Sequence, residues 1–186
     1  MIRAPEASRH EEFLQLVLYV DGASRGNPGE AGAGVVLATG EGRRVGEISQ
    51  YLGRKTNNQA EYWALLLGLR KAKRLGGRHV RVFTDSELME RQVNGVYRVK
   101  DLGLREMYKR VTECAAAFSS FEVTAIPRGQ NREADALANL AIERRIAKEK
   151  GEQGMRGGTD GRSSGHSAKQ GARGEESPSS TGQGGP

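Results

Sequence analysis

The sequence has a single cysteine, Cys114, so no intrachain disulfide can form, and a reducing, cytoplasmic setting is expected. Its three histidines, His10, His79 and His166, lie far apart and give no zinc-ligand cluster. No apolar run approaches the length of a membrane span, so no membrane partner is expected. The N-terminal stretch, with Glu6, Glu11 and Glu12, lacks the basic-then-apolar pattern of a signal peptide. The glycine-rich stretch at 29–34 (GEAGAG) has no following Gly-Lys-Ser/Thr and does not fit G-x-G-x-x-G, which excludes the usual nucleotide-phosphate loops. Internal repeats are absent.

What is present divides the 186 residues into three stretches. Residues 1–12 are polar and expected to be flexible. Residues 13–150 carry nearly all the apolar residues, enough for one domain with a real core. Residues 151–186 are rich in Gly and Ser, with Met155, Ala168 and Ala172 as their only apolar residues, and read as a disordered tail. The tail's basic and acidic residues cancel, so the formal charge of +6 belongs to the rest of the chain. A basic domain favours polyanionic partners, nucleic acid above all, although solubilising surface charge reads the same way.

Apolar periodicity orders the elements. Residues 13–20 (FLQLVLYV) suit a strand covered on both faces. Residues 33–39 and 45–52 read as two more strands joined through EGRR at 41–44. Ala60, Ala64, Leu65, Leu67, Leu69, Ala72 and Leu75 recur at helical spacing, and Gly76-Gly77 stops that helix. Residues 80–84 form a fourth strand. A short helix at 86–94 follows, with Ser86 as a candidate N-cap, and Asp101 is placed to cap another to about Phe118. A fifth strand spans 121–126, Pro127 breaks it, and Asn131 opens a last helix to about Lys148. The order β-β-β-α-β-α-α-β-α predicts an α/β fold. Its mixed five-stranded sheet has three antiparallel strands, the remainder parallel, and helices on its faces.

Four carboxylates fall at comparable places. Asp21 follows the first strand and opens the small-residue stretch DGASRGNPG at 21–29, read as a turn; Asp85 follows the fourth strand. Glu61 and Asp135 lie near the starts of two helices. Each has an ordinary explanation alone, as a turn former, a helix entry or a partner of a helix dipole. Gathered beyond the C-terminal ends of parallel strands, they would repel one another unless cations neutralised them, and hard oxygen donors suit magnesium or manganese.

The sequences around these acids resemble the type 1 ribonuclease H (ribonuclease HI) family. The resemblance rests on DGASRGNPG at 21–29, TNNQAE at 56–61, TDS at 84–86 and NREADALA at 131–138, in family order, and covers about residues 13–147. It implies a ribonuclease H-like fold and metal-dependent endonuclease activity on the RNA strand of RNA/DNA hybrids. It also implies two Mg2+ ions, with Mn2+ as a substitute, and products ending in 5′-phosphate and 3′-hydroxyl. By motif position, Asp21, Glu61, Asp85 and Asp135 are the implied catalytic, metal-binding acids, with Asp21 bridging two ions. Asn27, Asn57 and Asn58 match minor-groove contacts, where a carboxamide can both donate to and accept from the 2′-OH. Backbone contacts are implied near Gly22 and Ser24, and a phosphate pocket at Arg54, Thr56 and Asn94. Turn formation at Asn27 and Asn94 and helix capping at Asn57 and Asn58 are the competing structural roles. The partner implied is the hybrid, with double-stranded RNA left open, and a monomer is expected.

Two departures stand out. The loop before the fourth acid, IPRGQ at 126–130, lacks the His that many family members carry, and Arg128 is the nearest substitute. The stretch VYRVKDLGL at 96–104 is brief and has no Trp, so a separate basic hybrid-binding protrusion is not expected. Two other readings compete: a non-catalytic hybrid- or double-stranded-RNA-binding module on the same fold, which would not need four acids, and a junction-resolving nuclease, which would not need the Asn pair.

Overall fold

In the computed structural model, residues 15–156 are described. The elements run β1 (Gln15–Gly26), β2 (Gly29–Thr39), β3 (Arg44–Lys55), α1 (Asn57–Arg74), β4 (His79–Thr84), α2 (Glu87–Val93), α3 (Leu102–Ala115), β5 (Ser120–Ala125), a single 3-10 turn (Arg128–Gln130) and α4 (Arg132–Arg156). The expected order is found. The strands form one sheet, β3-β2-β1-β4-β5, antiparallel across β3, β2 and β1 and parallel from β1 through β4 to β5. The last helix continues past Lys148 to Arg156. The remainder of the segment read as a tail, and residues 1–12 read as flexible, lie outside the described residues. Among the described residues no helix is long and apolar enough to cross a membrane.

One difference from the periodicity matters for the site. Residues 21–26 are not a turn; they continue β1, and the chain reverses only at Asn27-Pro28. The parallel pairing of β1 with β4 stops at Tyr19↔Phe83, whereas its antiparallel pairing with β2 runs on to Gly26↔Gly29. The extra length is a two-stranded ribbon of small residues, whose composition imitates a loop.

Successive side chains on a strand point to opposite faces. Leu16, Leu18 and Val20 of β1 and Val35 and Leu37 of β2 bury themselves with Tyr62, Leu65, Leu66 and Leu69 of α1. A Cβ added to Gly68 would come within 2.9 Å of Leu18 and 3.2 Å of Val35, so this face carries α1. Gly32 and Gly34 of β2 face the other way, against the backbone of α4 at Ala138 and Ala134. Leu104, Met107 and Val111 of α3 complete the α1 side of the core, and Trp63 packs half-buried against it.

Candidate active site

Asp21 sits two residues beyond the last β1 residue paired with β4, opposite Gly34 of β2 and only 6% exposed. Asp85 is the first residue after β4, on the parallel neighbour of β1. Both therefore occupy the C-terminal edge of the parallel strands. Glu61 enters from the second turn of α1 and Asp135 from the first turn of α4. Glycines make these approaches possible. A Cβ on Gly22 would lie 2.1 Å from the Glu61 amide nitrogen, and one on Gly34 would lie 1.9 Å from the Ala134 carbonyl oxygen. Strand and helix backbones meet directly beside three of the four acids.

The electrostatics register this convergence. Burial pushes the Asp21 carboxyl up to about 8, and the charges of Asp85, Asp135 and Glu61 add to the rise against the opposing Gly22 N–H. Burial likewise pushes Glu61 up to about 7, aided by Asp85 and opposed by hydrogen bonds from Ser86 and Asn57. Each acid has its own donor. The Gly22 N–H donates to Asp21 Oδ1 at 2.9 Å; Ser86 Oγ and Asn57 Nδ2 donate to the two oxygens of Glu61 at 2.6 and 2.9 Å. Asn131 Nδ2 donates to Asp85 Oδ1 at 3.2 Å and to the Val20 carbonyl at 2.9 Å. Arg128 Nη2 donates to Asp135 Oδ1 at 2.9 Å.

Four carboxylates with one guanidinium among them remain a net anionic, oxygen-only donor set, which suits a hard divalent cation. Among the described residues no three Asp, Glu, His or Cys side chains are already drawn into one coordination sphere. The charges of the other three acids add to the proton affinity of Asp21, and that of Asp85 adds to the proton affinity of Glu61. Asn131 Oδ1 is a buried side-chain oxygen without a hydrogen-bond partner.

The other expected contact residues divide. Asn27 and Asn57 are neighbours: Asn27 Oδ1 accepts from the Asn57 backbone N–H at 3.2 Å, and the Asn57 side chain in turn reaches Glu61. Asn58 is exposed in the first turn of α1. Thr56 is the α1 N-cap, in a reciprocal capping box with Gln59, so capping falls to Thr56 and leaves the asparagine side chains to other partners. Arg54 is exposed near the end of β3. Ser24 Oγ donates to the Gly26 and Lys55 carbonyls, tying the β1–β2 ribbon to β3. Gly22 spends its N–H on Asp21. Asn94 stands apart from Arg54 and Thr56: its amide is tied to Glu90 and to the Val123 carbonyl of β5, the sheet edge opposite β3. The start of α3 lies beside the capping box instead, where a Cβ on Gly103 would be 3.3 Å from Gln59 Nε2. His79, at the start of β4, bonds Ser120 Oγ and lies a strand's length from Asp85; His10 and His166 fall outside the described residues.

Ser86 and Asn131 read in sequence as helix starts, yet both also hold a carboxylate of the cluster. Ser86 accepts from the Met89 amide while donating to Glu61. Ser86→Ala is expected to cost about 1 kcal/mol through the lost cap. It should also raise further the pH at which Glu61 ionises, because a hydrogen bond favouring the charged form is removed. Thermal melts and carbon NMR of the Glu61 carboxyl report the two effects separately.

Comparison with known proteins gives concordant matches. A family described as reverse transcriptase-like matches residues 19–141. Ribonuclease HI of Halobacterium salinarum is 44% identical over 125 residues, covering 67% of this chain and 63% of that protein. Ribonuclease H of Cupriavidus necator is 32% identical over 143 residues, covering 69% of this chain and 96% of that protein. The crystal structure of LC11-RNase H1 in complex with RNA/DNA hybrid superposes with a TM-score of 0.68 at 38% identity, over 71% of this chain and 99% of that one. The chain thus spans just under two thirds of the halobacterial relative, and 36% of the length of mycobacterial relatives that it matches at 40% identity.

Proposed function

Since this chain belongs to the ribonuclease H family, we propose that it is a metal-dependent endoribonuclease hydrolysing the RNA strand of RNA/DNA hybrids, leaving 5′-phosphate and 3′-hydroxyl ends. The observation that carries this reading is the gathering of Asp21, Glu61 and Asp135 from three elements, and Asp85 from the end of a fourth, around a carboxyl pushed up to about 8. A binding module has no use for so costly a gathering of carboxyl groups around a buried one. The halobacterial and Cupriavidus relatives, and the hybrid-bound neighbour, support the activity and the substrate.

Asp21, Glu61, Asp85 and Asp135 would hold two Mg2+ ions, or Mn2+ in their place. When bound, such ions would supply an activated water and charge stabilisation at the scissile phosphate. The protein's own groups do the positioning. Ser86 and Asn57 fix Glu61, and Asn131 fixes Asp85. Asn27, Asn57 and Asn58 are assigned to the minor groove, where amide groups meet the 2′-OH, with the Gly22 and Ser24 backbone alongside. Arg54 and Thr56 are assigned to backbone phosphate. Arg128 stands where the family's loop His would be, and being permanently charged it stabilises negative charge without delivering a proton. Residues 13–150 act as the catalytic domain. One chain supplies all four acids, which supports a monomer, and the lone cysteine supports a cytoplasmic setting.

The test is cleavage of end-labelled RNA/DNA hybrid in Mg2+ or Mn2+, beside double-stranded RNA, double-stranded DNA and an EDTA control. Cut RNA in the hybrid alone, abolished by EDTA, is expected. RNA left intact with both ions would overturn the enzyme assignment and leave a binding module. Equal cutting of double-stranded RNA would remove the specificity assigned to the asparagines.

A further inference from the structure

Arg128 is the one cation among the described hydrogen-bond partners of the four acids. Its side chain is 76% exposed, yet it folds back to place Nη2 2.9 Å from Asp135 Oδ1. Its own proton is held more tightly through that bond and through the charges of Asp135, Asp21 and Asp85, so the guanidinium feels three of the four acids. Its root is fixed. The 3-10 turn Arg128–Gln130 is closed by Gln130 N–H to the Pro127 carbonyl and Asn131 N–H to the Arg128 carbonyl. Asn131, 1% exposed, anchors the end of that turn to β1 and to Asp85. A rigid base carries a long, solvent-facing arm whose tip rests on one carboxylate.

We propose that Arg128 is a tethered counter-cation for the carboxylate cluster, which competes with a divalent cation for Asp135 as the ion binds. A guanidinium on Asp135 Oδ1 occupies one of the oxygens an ion would use and sets a second positive centre within a few ångströms of it, so the two compete for Asp135. Arg128 therefore acts as a positioning residue with two effects of opposite sign. It steadies the cluster without ions, and it competes with ions for the fourth acid. This rests on the metal-dependent reading above. Exposed ion pairs are weak, so the competition is modest, about two- to fivefold in affinity.

The experiment is calorimetric titration of the full chain with Mg2+ and with Mn2+, together with thermal melts in EDTA. It compares wild type, Arg128→Gln, Arg128→Lys and Arg132→Gln, the last removing an exposed charge four positions along the chain. Arg128→Gln is expected to bind the ions about two- to fivefold more tightly than wild type and to melt a few degrees lower in EDTA, with the melting difference vanishing at saturating Mg2+. Arg128→Lys, which keeps the charge without the planar fork, falls between them. Arg132→Gln matches wild type. Unchanged or weaker ion binding by Arg128→Gln, beside a wild type that binds ions and cuts hybrid, would overturn this inference alone. A wild type that neither binds ions nor cuts hybrid would overturn the functional reading, and this inference with it.

Discussion

Replacing Asp21 with asparagine is expected to abolish hybrid cleavage, by about a thousandfold or more, while raising the melting temperature of the metal-free protein. The first effect follows from removing the carboxylate at the centre of the proposed cation site. The second follows from its burial among like charges. The folded carboxyl is pushed from 3.8 to about 8. Between these pH values the folded protein holds a proton that the unfolded chain has released, so stability falls as pH rises. The contribution of this carboxyl is fully present below pH 3.8 and lost by about pH 8. Glu61, pushed up to about 7, contributes with the same sign. In EDTA, Asp21→Asn should therefore gain little over wild type at acid pH and most near pH 8 or above, by roughly 2–4 kcal/mol once water entering the cleft is allowed for. Saturating Mg2+ should narrow the gap by stabilising only the wild type. Melting curves at several pH values, with and without EDTA, measure this directly. A variant less stable than wild type at high pH in EDTA would contradict the account.

Gly34→Ala is expected to be among the most damaging single methyl additions at the described glycines. The added Cβ would lie 1.9 Å from the Ala134 carbonyl oxygen and 2.6 Å from the Ala138 nitrogen. Both are α4 backbone, so no side chain can swing aside, and the helix must lift from the sheet. Overpacking a core costs about 1–3 kcal/mol, and a main-chain collision belongs at or above the top of that range. Asp135 is the next residue after Ala134, so the lift also moves an acid, and a displacement near 1 Å costs cleavage about a hundredfold. Gly46→Ala in β3 is the control: its nearest neighbour would be a Lys71 side-chain carbon at 3.6 Å, and its stability should change by less than about 1 kcal/mol. Denaturant melts and hybrid cleavage at a temperature where both variants are folded give the comparison. Equal stability of the two variants would refute the close seating of α4.

Much of this was legible in the chain. Helical periodicity located α1 and α3, Ser86 and Asp101 cap the helices that they were expected to cap, and Gly76-Gly77 ends α1. Asp85 is found just past a strand end, and Glu61 and Asp135 in the second and first helical turns, as their local sequences imply, whereas Asp21 lies within β1 rather than after it. What the chain concealed is of two kinds. The extension of β1 through residues 21–26 was hidden because Gly, Ala and Ser in a two-stranded ribbon are locally indistinguishable from a loop; only pairing with β2 makes them a strand. The donors that hold the acids were hidden because they are distant in sequence. Ser86 reaches Glu61 across 25 positions and Asn131 reaches Asp85 across 46. Helix-start chemistry accounted for both residues completely, so nothing local marked a second task. Arg128 was legible as a candidate only through the missing His, and its bond to Asp135 needed the folded loop.

The scatter of the acids along the chain, from β1 to α4, has a consequence for the life of the protein before it is complete. A ribosome extends the polypeptide by about 5–20 residues per second, and the early strands are available to pair long before the last helix emerges. A nascent chain ending before Arg132 can contain β1 to β5, and with them Asp21, Glu61 and Asp85. It still lacks Asp135, and it lacks the helix that covers Gly32 and Gly34. The proposed nuclease activity would therefore arrive late in synthesis and all at once. On that reading an RNA/DNA hybrid near the ribosome would be safe from a half-made copy, and cutting itself would report that the final helix has docked.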